Sequence, residues 1–287
     1  VPTVHKTIQY QGKEFEIKLL DFIHPTYGGN KFYKLKYNLE QARHAGRDTI
    51  LTFGGAWSNH IYATAAACAE NAFKSIGVIR GEEPKEYSAT LRFAKEKGMK
   101  LFFVSRGEYR EKDEPFFKAW LRDELGSFYL IPEGGSNFYG VQGCTEILGK
   151  GERQCDEIWC SCGTGATLAG IILSLQSNQK AIGVSALKGG FMRDEVTKHL
   201  AFALGSVEAA REYSDRFEIV DDAHFGGYAK TTPELIDLIK DFKKETGIQL
   251  EPVYTAKMIW ALLRSHSKSN QLAIHTGGVQ GLAGFAL

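Results

Sequence analysis

The residues with most capacity for chemistry sit in four glycine-dense turns: Gly28-Gly29-Asn30-Lys31, Gly54-Gly55-Ala56-Trp57-Ser58-Asn59-His60, Gly163-Thr164-Gly165-Ala166-Thr167 and Thr276-Gly277-Gly278. Glycine lets backbone amides approach a ligand closely, and a helix that follows adds the positive end of its dipole, so each turn could hold an anion. Taken singly, each is equally a tight strand-to-helix connection. The turn at 163–167 is the best phosphate candidate. It follows an apolar run at 157–160 and opens the apolar stretch Leu168-Ala169-Gly170-Ile171-Ile172, and its glycines and threonines offer donors without bulk. It lacks the lysine of a Gly-x-x-x-x-Gly-Lys-Ser/Thr loop, and Leu168 stands where a dinucleotide turn carries its third glycine. A single phosphate therefore suits it better than a nucleotide.

Lys31 lies just inside a predicted helix start, with Lys34 one turn further on. A cation is disfavoured at a helix amino end, and a lysine whose ammonium is destabilised is the kind that forms imines. The alternative reading is a solvated basic helix face. Cys160-Ser161-Cys162 is not a zinc pair, because no second Cys/His pair with ligand spacing follows, so no metal site is expected. Of the eight histidines only His60 and His275 fall in these segments, where packing or orienting roles are expected.

The elements that must position these groups alternate. Short apolar or β-branched runs at 49–53, 75–79, 100–104, 128–131, 157–160, 180–185, 216–220 and 271–275 are separated by helical patterns such as 58–71, 86–97, 167–176, 233–246 and 255–265. Strands alternating with helices indicate an α/β protein with parallel sheets and right-handed crossovers, which bind ligands beyond the carboxyl ends of their strands. So many strands in 287 residues point to two open, twisted, mostly parallel sheets with helices on both faces and a cleft between them. The expected division is a large cofactor-binding domain of residues 1–40 and 142–287 and a small α/β domain of residues 41–141.

Composition excludes several classes of partner. A formal net charge of +1 provides no field to recruit nucleic acid or an acidic membrane surface. The five cysteines are odd in number and mostly embedded in apolar runs, which suits free thiols in a reducing compartment. No signal-peptide pattern opens the chain and no apolar run approaches the ~18 residues of a membrane span. A cytoplasmic enzyme is the expectation.

Read together and in order, Gly29-Asn30-Lys31-x-x-Lys34-Leu35, Gly54-Gly55-x-x-Ser58-Asn59-His60, Ile131-Pro132-Glu133-Gly134-Gly135-Ser136, the 163–167 turn, Pro252-Val253-Tyr254-Thr255-x-Lys257 and His275-Thr276-Gly277-Gly278 resemble the 1-aminocyclopropane-1-carboxylate deaminase and D-cysteine desulfhydrase family. These are pyridoxal-phosphate enzymes of fold type II, whose fold resembles the tryptophan synthase β subunit. The resemblance implies that Lys31 holds pyridoxal 5'-phosphate covalently and that Lys34 lies near its phosphate. It also implies that Cys162, Gly163, Thr164, Gly165, Ala166 and Thr167 form the phosphate cup. Asn59 would bond the ring hydroxyl, Ser58 would contact the substrate carboxylate or assist as a nucleophile, and Tyr254 and Tyr228 would face the substrate. Trp57 and His60 complete the implied substrate wall, and a homodimer is implied as well. The chemistry would be a lyase or hydrolase reaction on a small amino acid. Loss of thiolate from D-cysteine would give aminoacrylate, which decays to pyruvate and ammonia; ring opening of aminocyclopropane carboxylate to 2-oxobutyrate and ammonia is the alternative.

Departures from the family pattern bear on the substrate. Thr255 stands where the cyclopropane deaminases carry a glutamate beside the pyridine nitrogen, and Thr276 where they carry leucine. A hydroxyl partner leaves that nitrogen unprotonated more readily than a carboxylate, which favours β-elimination over ring opening. Trp57 replaces a glutamine, Val279-Gln280 replaces Ala-Pro, and residues 225–231 keep Tyr228 without its proline-containing surroundings. Trp57 either narrows the pocket and stacks on a ligand or fills space beneath a loop. A dinucleotide oxidoreductase is disfavoured because no Gly-x-Gly-x-x-Gly turn with an acid about 20 residues beyond is present. A binding protein without turnover is a further class, against which Lys31, Ser58, Asn59 and Tyr254 are all retained.

Overall fold

The computed structural model describes residues 4–149, 152 and 154–285. Its chain opens with a hairpin that the alternation after residue 48 does not foreshadow. Strand β1 (Val4–Tyr10) pairs antiparallel with β2 (Lys13–Leu19), in register from Val4 opposite Leu19 to Tyr10 opposite Lys13. The two-residue turn Gln11-Gly12 has φ of 49° and 75°, the doubly left-handed form whose twist matches a hairpin. Charged residues alternate with Phe15, Ile17 and Leu19 along β2, and these three are buried.

Helix α1 (Asn30–His44) follows, and then the strands and helices alternate: β3 (Thr49–Gly54), α2 (Asn59–Glu70), β4 (Lys74–Arg80), α3 (Ala89–Glu96), β5 (Met99–Val104), α4 (Arg106–Arg110), α5 (Pro115–Leu125), β6 (Tyr129–Ile131) and α6 (Phe138–Cys144). The second half contains β7 (Glu157–Cys162), α7 (Ala166–Leu173), β8 (Lys180–Ser185), α8 (Met192–Leu204), α9 (Val207–Arg211), β9 (Phe217–Val220), α10 (Pro233–Thr246), α11 (Thr255–Arg264) and β10 (Gln271–His275). Two sheets result, as expected. One has the strand order β1-β2-β10-β7-β8-β9 and is parallel except for the β1–β2 pair; the other, β5-β4-β3-β6, is wholly parallel.

Both faces of each sheet are covered, so their strands read as nearly continuous apolar runs. In the larger sheet, Ile158, Cys160 and Cys162 of β7 pack with Val141, Ile171 and Val196 of α6, α7 and α8, while Trp159 packs on the other face with Leu238, Phe242 and Met258 of α10 and α11. In the smaller sheet, Ile50 faces Leu35, Leu39 and Ala63, while Leu51 and Phe53 face Phe117 and Leu121. Helix α1 serves both assemblies, sending Tyr33 into the core under the large sheet and Leu35 and Leu39 into that of the small one. The turns after β3, β7 and β10 all leave the carboxyl ends of parallel strands. β10 and β7 are neighbours in the larger sheet, and such sheets bind ligands beyond the carboxyl ends of their strands.

Candidate active site

Those strand ends enclose a cavity of about 600 Å³, lined in part by Lys31, Ser58, Asn59, Thr164, Tyr254 and Thr276. Lys31 stands in the first turn of α1. Its amine forms no hydrogen bond or ion pair among the described residues. Burial, and then the neighbouring Lys34 ammonium, push it down from 10.5 to about 7, so a large fraction is the neutral nucleophile near neutral pH. The helix start is tied to two other turns: the Asn30 amide donates to the Thr276 carbonyl at 3.0 Å and its side chain donates to Thr167 Oγ1 at 2.9 Å. Gly29 has φ of +88°, and a Cβ there would lie 2.4 Å from the Thr276 oxygen, so only glycine admits this contact.

Lys34 is only 1% exposed, and its Nζ donates to the Gly134 carbonyl at 2.9 Å and reaches Thr164 Oγ1 at 3.5 Å. Burial holds this ammonium below the usual lysine range. The turn beside it ends in Gly165, with φ of +81°, as the cap of α7, and no side chain bonds the first amides of that helix. Those amides, the hydroxyls of Thr164 and Thr167, and the Lys34 charge converge on one end of the cavity, a donor set suited to a phosphate. His199 of α8 braces the turn through Nε2 and the Thr164 carbonyl, 2.8 Å apart. Cys162 also lines this end, and burial pushes its thiol up to about 12, so it remains neutral. Ala166 is fully buried, and its side chain does not line the cavity; what it can offer there is its backbone amide.

The opposite wall is the amino end of α2. Ser58 Oγ accepts from the amides of His60 and Ile61, both at 3.2 Å, which leaves its hydroxyl proton free to be donated. Asn59 Oδ1 accepts from Gln280 at 3.2 Å, and a Cβ at Gly278 would lie 2.5 Å from Asn59 Nδ2. His60 is buried against β3, with Nε2 2.8 Å from Thr52 Oγ1, whose own proton goes to the Ile131 carbonyl at 2.8 Å. The ring is thereby assigned as the Nε2–H donor, with an unpartnered Nδ1. Burial, then Lys31 and Lys34, hold it well below the usual histidine range, so it is neutral. It touches the cavity chiefly as a strut between α2 and the small sheet. Trp57 is 44% exposed at the rim, and its ring covers the backbone of Gly284, where a Cβ would sit 3.0 Å from the indole.

Tyr228 and Tyr254 stand edge to face, centroids 6.3 Å apart, on the wall next to Gly163. Burial raises both phenols, so they are neutral hydroxyls at pH 7. Thr255 corrects an expectation. It is 0% exposed and does not line the cavity. Its hydroxyl accepts from the Glu251 amide at 2.8 Å and donates to the Glu251 carbonyl at 3.2 Å. Glu251 also takes the amides of Val253, Tyr254 and Thr255, and this local cap turns Thr255 back into its own helix start. Thr276 and Ser161, whose hydroxyls are 3.2 Å apart, do line the cavity. His275 is buried and bonds the Gln249 carbonyl at 2.9 Å, a packing role as expected.

A family model described as pyridoxal-phosphate dependent enzyme matches residues 7–277. The chain belongs to the pyridoxal-phosphate-dependent enzymes. A Thermotoga maritima protein provisionally named a 1-aminocyclopropane-1-carboxylate deaminase is 34% identical over 88% of this chain and 85% of its own length. A bifunctional D-cysteine desulfhydrase and 1-aminocyclopropane-1-carboxylate deaminase of Arabidopsis thaliana mitochondria is 29% identical over 94% of this chain and 74% of its own. The crystal structure of a homologue of 1-aminocyclopropane-1-carboxylate deaminase superposes with a TM-score of 0.80 at 29% identity, covering 94% of this chain and 86% of that one.

For a pyridoxal-phosphate enzyme the cavity also contains residues that sequence reading passed over. Ser161 is at the carboxyl end of β7, two residues before the glycine turn. Arg80 ends β4 and reaches the cavity with its guanidinium 5.7 Å from the Tyr109 ring centre and no carboxylate partner among the described residues. Glu133 lines the same side and pairs with Lys112 at 3.6 Å. A polar residue ending a buried parallel strand was the available signal for Ser161 and Arg80, since that is where such sheets place their ligands.

Proposed function

We propose that this pyridoxal-phosphate enzyme is a lyase that removes a β-substituent from a small amino acid, D-cysteine foremost, giving pyruvate, ammonia and sulfide. The observation that carries the reading is Lys31: an unpartnered amine shifted to about 7, within one helical turn of Lys34 and facing a phosphate-sized donor set. The cofactor fits this end of the cavity, with Lys31 as its covalent anchor. Lys34, residues 162–167 and the first amides of α7 would receive its phosphate, Asn59 its ring hydroxyl, and Thr276 with Ser161 its ring nitrogen. When bound, pyridoxal phosphate supplies a conjugated sink for the electron pair released at the α-carbon.

The chain's own groups supply the rest. The Ser58 hydroxyl, whose proton is free to donate while its oxygen accepts two amides, and the Asn59 side chain bind the substrate carboxylate. Lys31, neutral in large part at pH 7, takes the α-proton. Tyr254 and Tyr228, both neutral, offer a proton to the departing thiolate. Trp57 at the rim narrows access for water. The side-chain partner of Thr276 is the Ser161 hydroxyl, the Asp21 carboxylate faces His275 and Gly277 instead, and Glu251 is committed to three backbone amides; a hydroxyl partner supports elimination over opening of an unactivated ring.

The test is reconstitution with pyridoxal phosphate, a visible spectrum, and release of pyruvate or 2-oxobutyrate from D-cysteine, L-cysteine, D-serine and aminocyclopropane carboxylate. Pyruvate from D-cysteine supports the proposal; 2-oxobutyrate alone would replace it with the deaminase reading that the named relatives share; and binding of amino acids without any ammonia would make the protein a sensor. In the same reading residues 41–141, which contain the four-stranded sheet, form the small domain, and residues 1–40 with 142–287 form the large one. The enzyme acts as a homodimer, to be checked by light scattering. A cytoplasmic setting is supported by five cysteines that are all free and buried.

A further inference from the structure

Lys257 has no part in the chemistry above, yet it is 0% exposed and its charge has no carboxylate within ion-pair distance among the described residues. Its Nζ donates instead to two carbonyls of another segment, His224 and Gly227, each at 2.8 Å. Those carbonyls belong to two successive turns: the His224 oxygen also accepts from the Gly227 amide at 3.0 Å, and the Gly227 oxygen from the Lys230 amide at 3.2 Å. Tyr228 lies inside the second of these turns.

The segment is backbone-strained. Phe225, Gly226, Gly227 and Ala229 have φ of 53°, 93°, 125° and 56°, and two of these four are not glycine. Such conformations persist only where the surroundings over-determine them. Helix α11 supplies two of the holds, since Lys257 binds the carbonyls and Trp260 packs edge-on against Phe225 with centroids 4.9 Å apart; within the segment the His224 ring accepts the Gly226 amide at 2.9 Å. Tyr254 caps the amino end of that same helix. Burying an ammonium without a carboxylate is unfavourable, and an apolar side chain would fill the space at lower cost unless the two bonds were needed.

We infer that Lys257 is a positioning residue that holds the turn bearing Tyr228 in register with Tyr254, so that one helix sets both phenols of the substrate wall. This rests on the proposed role of the two tyrosines, but the clamp itself can be tested apart from activity. The experiment compares Lys257→Met, Lys257→Gln, Tyr228→Phe and the Lys257→Met/Tyr228→Phe double variant, by amide hydrogen exchange without cofactor and by spectrum and pyruvate release after reconstitution.

In Lys257→Met, exchange across 225–230 is expected to accelerate by about tenfold or more while α10 and β8 stay protected. The visible cofactor band should be retained, and kcat should fall about tenfold with a smaller change in KM. Lys257→Gln, whose amide offers two N–H donors, should recover part of both losses. In the Tyr228→Phe background the methionine change should add less than about twofold. Unchanged exchange at 225–230 overturns the clamp. Full multiplication of the two losses in the double variant overturns its action through Tyr228. Failure of the wild type to turn over any amino acid sinks the functional reading, while the exchange result still decides the clamp.

Discussion

The amino ends of α2 and α7 face one cavity from different sheets, and both follow glycine-bearing turns at strand ends, but their backbone donors are in different states. At α2 the Ser58 oxygen already accepts the amides of His60 and Ile61. At α7 the cap is a left-handed glycine and no side chain bonds the first amides. Anion capacity at a helix start depends on whether the chain has satisfied those amides itself. One end is therefore suited to a permanent phosphate, and the other to a carboxylate that comes and goes and is met by side chains. Lys31 stands between them.

The largest expected effect tests the group between the two ends. Lys31→Ala should abolish the visible cofactor band and lower turnover by at least about 10³-fold; retention of both would remove the basis of the comparison. The next is a pair of substitutions, one at each end. Gly165→Ala forces a β-carbon into a φ of +81° and to 3.2 Å from Val196 Cγ2, so the turn must shift its donors and cofactor retention in equilibrium dialysis should weaken. Ser58→Ala should lose ~1 kcal/mol of helix capping in denaturant melts and lower kcat/KM while retaining cofactor. Cofactor loss from Ser58→Ala with none from Gly165→Ala would invert the assignment of the two ends.

A third expectation concerns pH. Because Lys31 is pushed down to about 7, its neutral fraction rises about tenfold between pH 6 and 8 and then levels off. An ordinary lysine near 10.5 would gain about a hundredfold over that interval and continue rising. Stopped-flow capture of pyridoxal phosphate by apoenzyme distinguishes the two profiles. The smallest effects separate the two threonines. Thr276→Val should shift the cofactor spectrum and lower kcat several-fold, whereas Thr255→Val should leave the spectrum unchanged and cost about 1–2 kcal/mol of stability. A spectral change confined to Thr255→Val would restore Thr255 to the ring.

Much of the fold was legible because buried parallel strands are continuous apolar runs: 180–185 and 271–275 coincide with β8 and β10. The hairpin was hidden by the charges that alternate along β2, and α8 by its few core contacts, chiefly Met192, Val196 and Leu200. At the site, local turn chemistry pointed to Lys31 and residues 163–167 and the family resemblance to Ser58 and Asn59, and all of these except Ala166 line the cavity. Thr255 failed because adjacency to Tyr254 says nothing about side-chain direction, and Glu251 four residues earlier pulls it away.

The amino-acid sequence by itself determined the alternating elements, the glycine turns and the lysine poised at a helix start, since each depends on residues within a few positions of one another. Tertiary structure alone decided that Arg80 and Ser161 come to the same cavity, that Lys34 reaches Gly134, and that Lys257 holds the turn of Tyr228. Those positions are separated by 30 to 100 residues in the chain, and only the packing of two sheets around α1, with α11 against the larger one, brings them together.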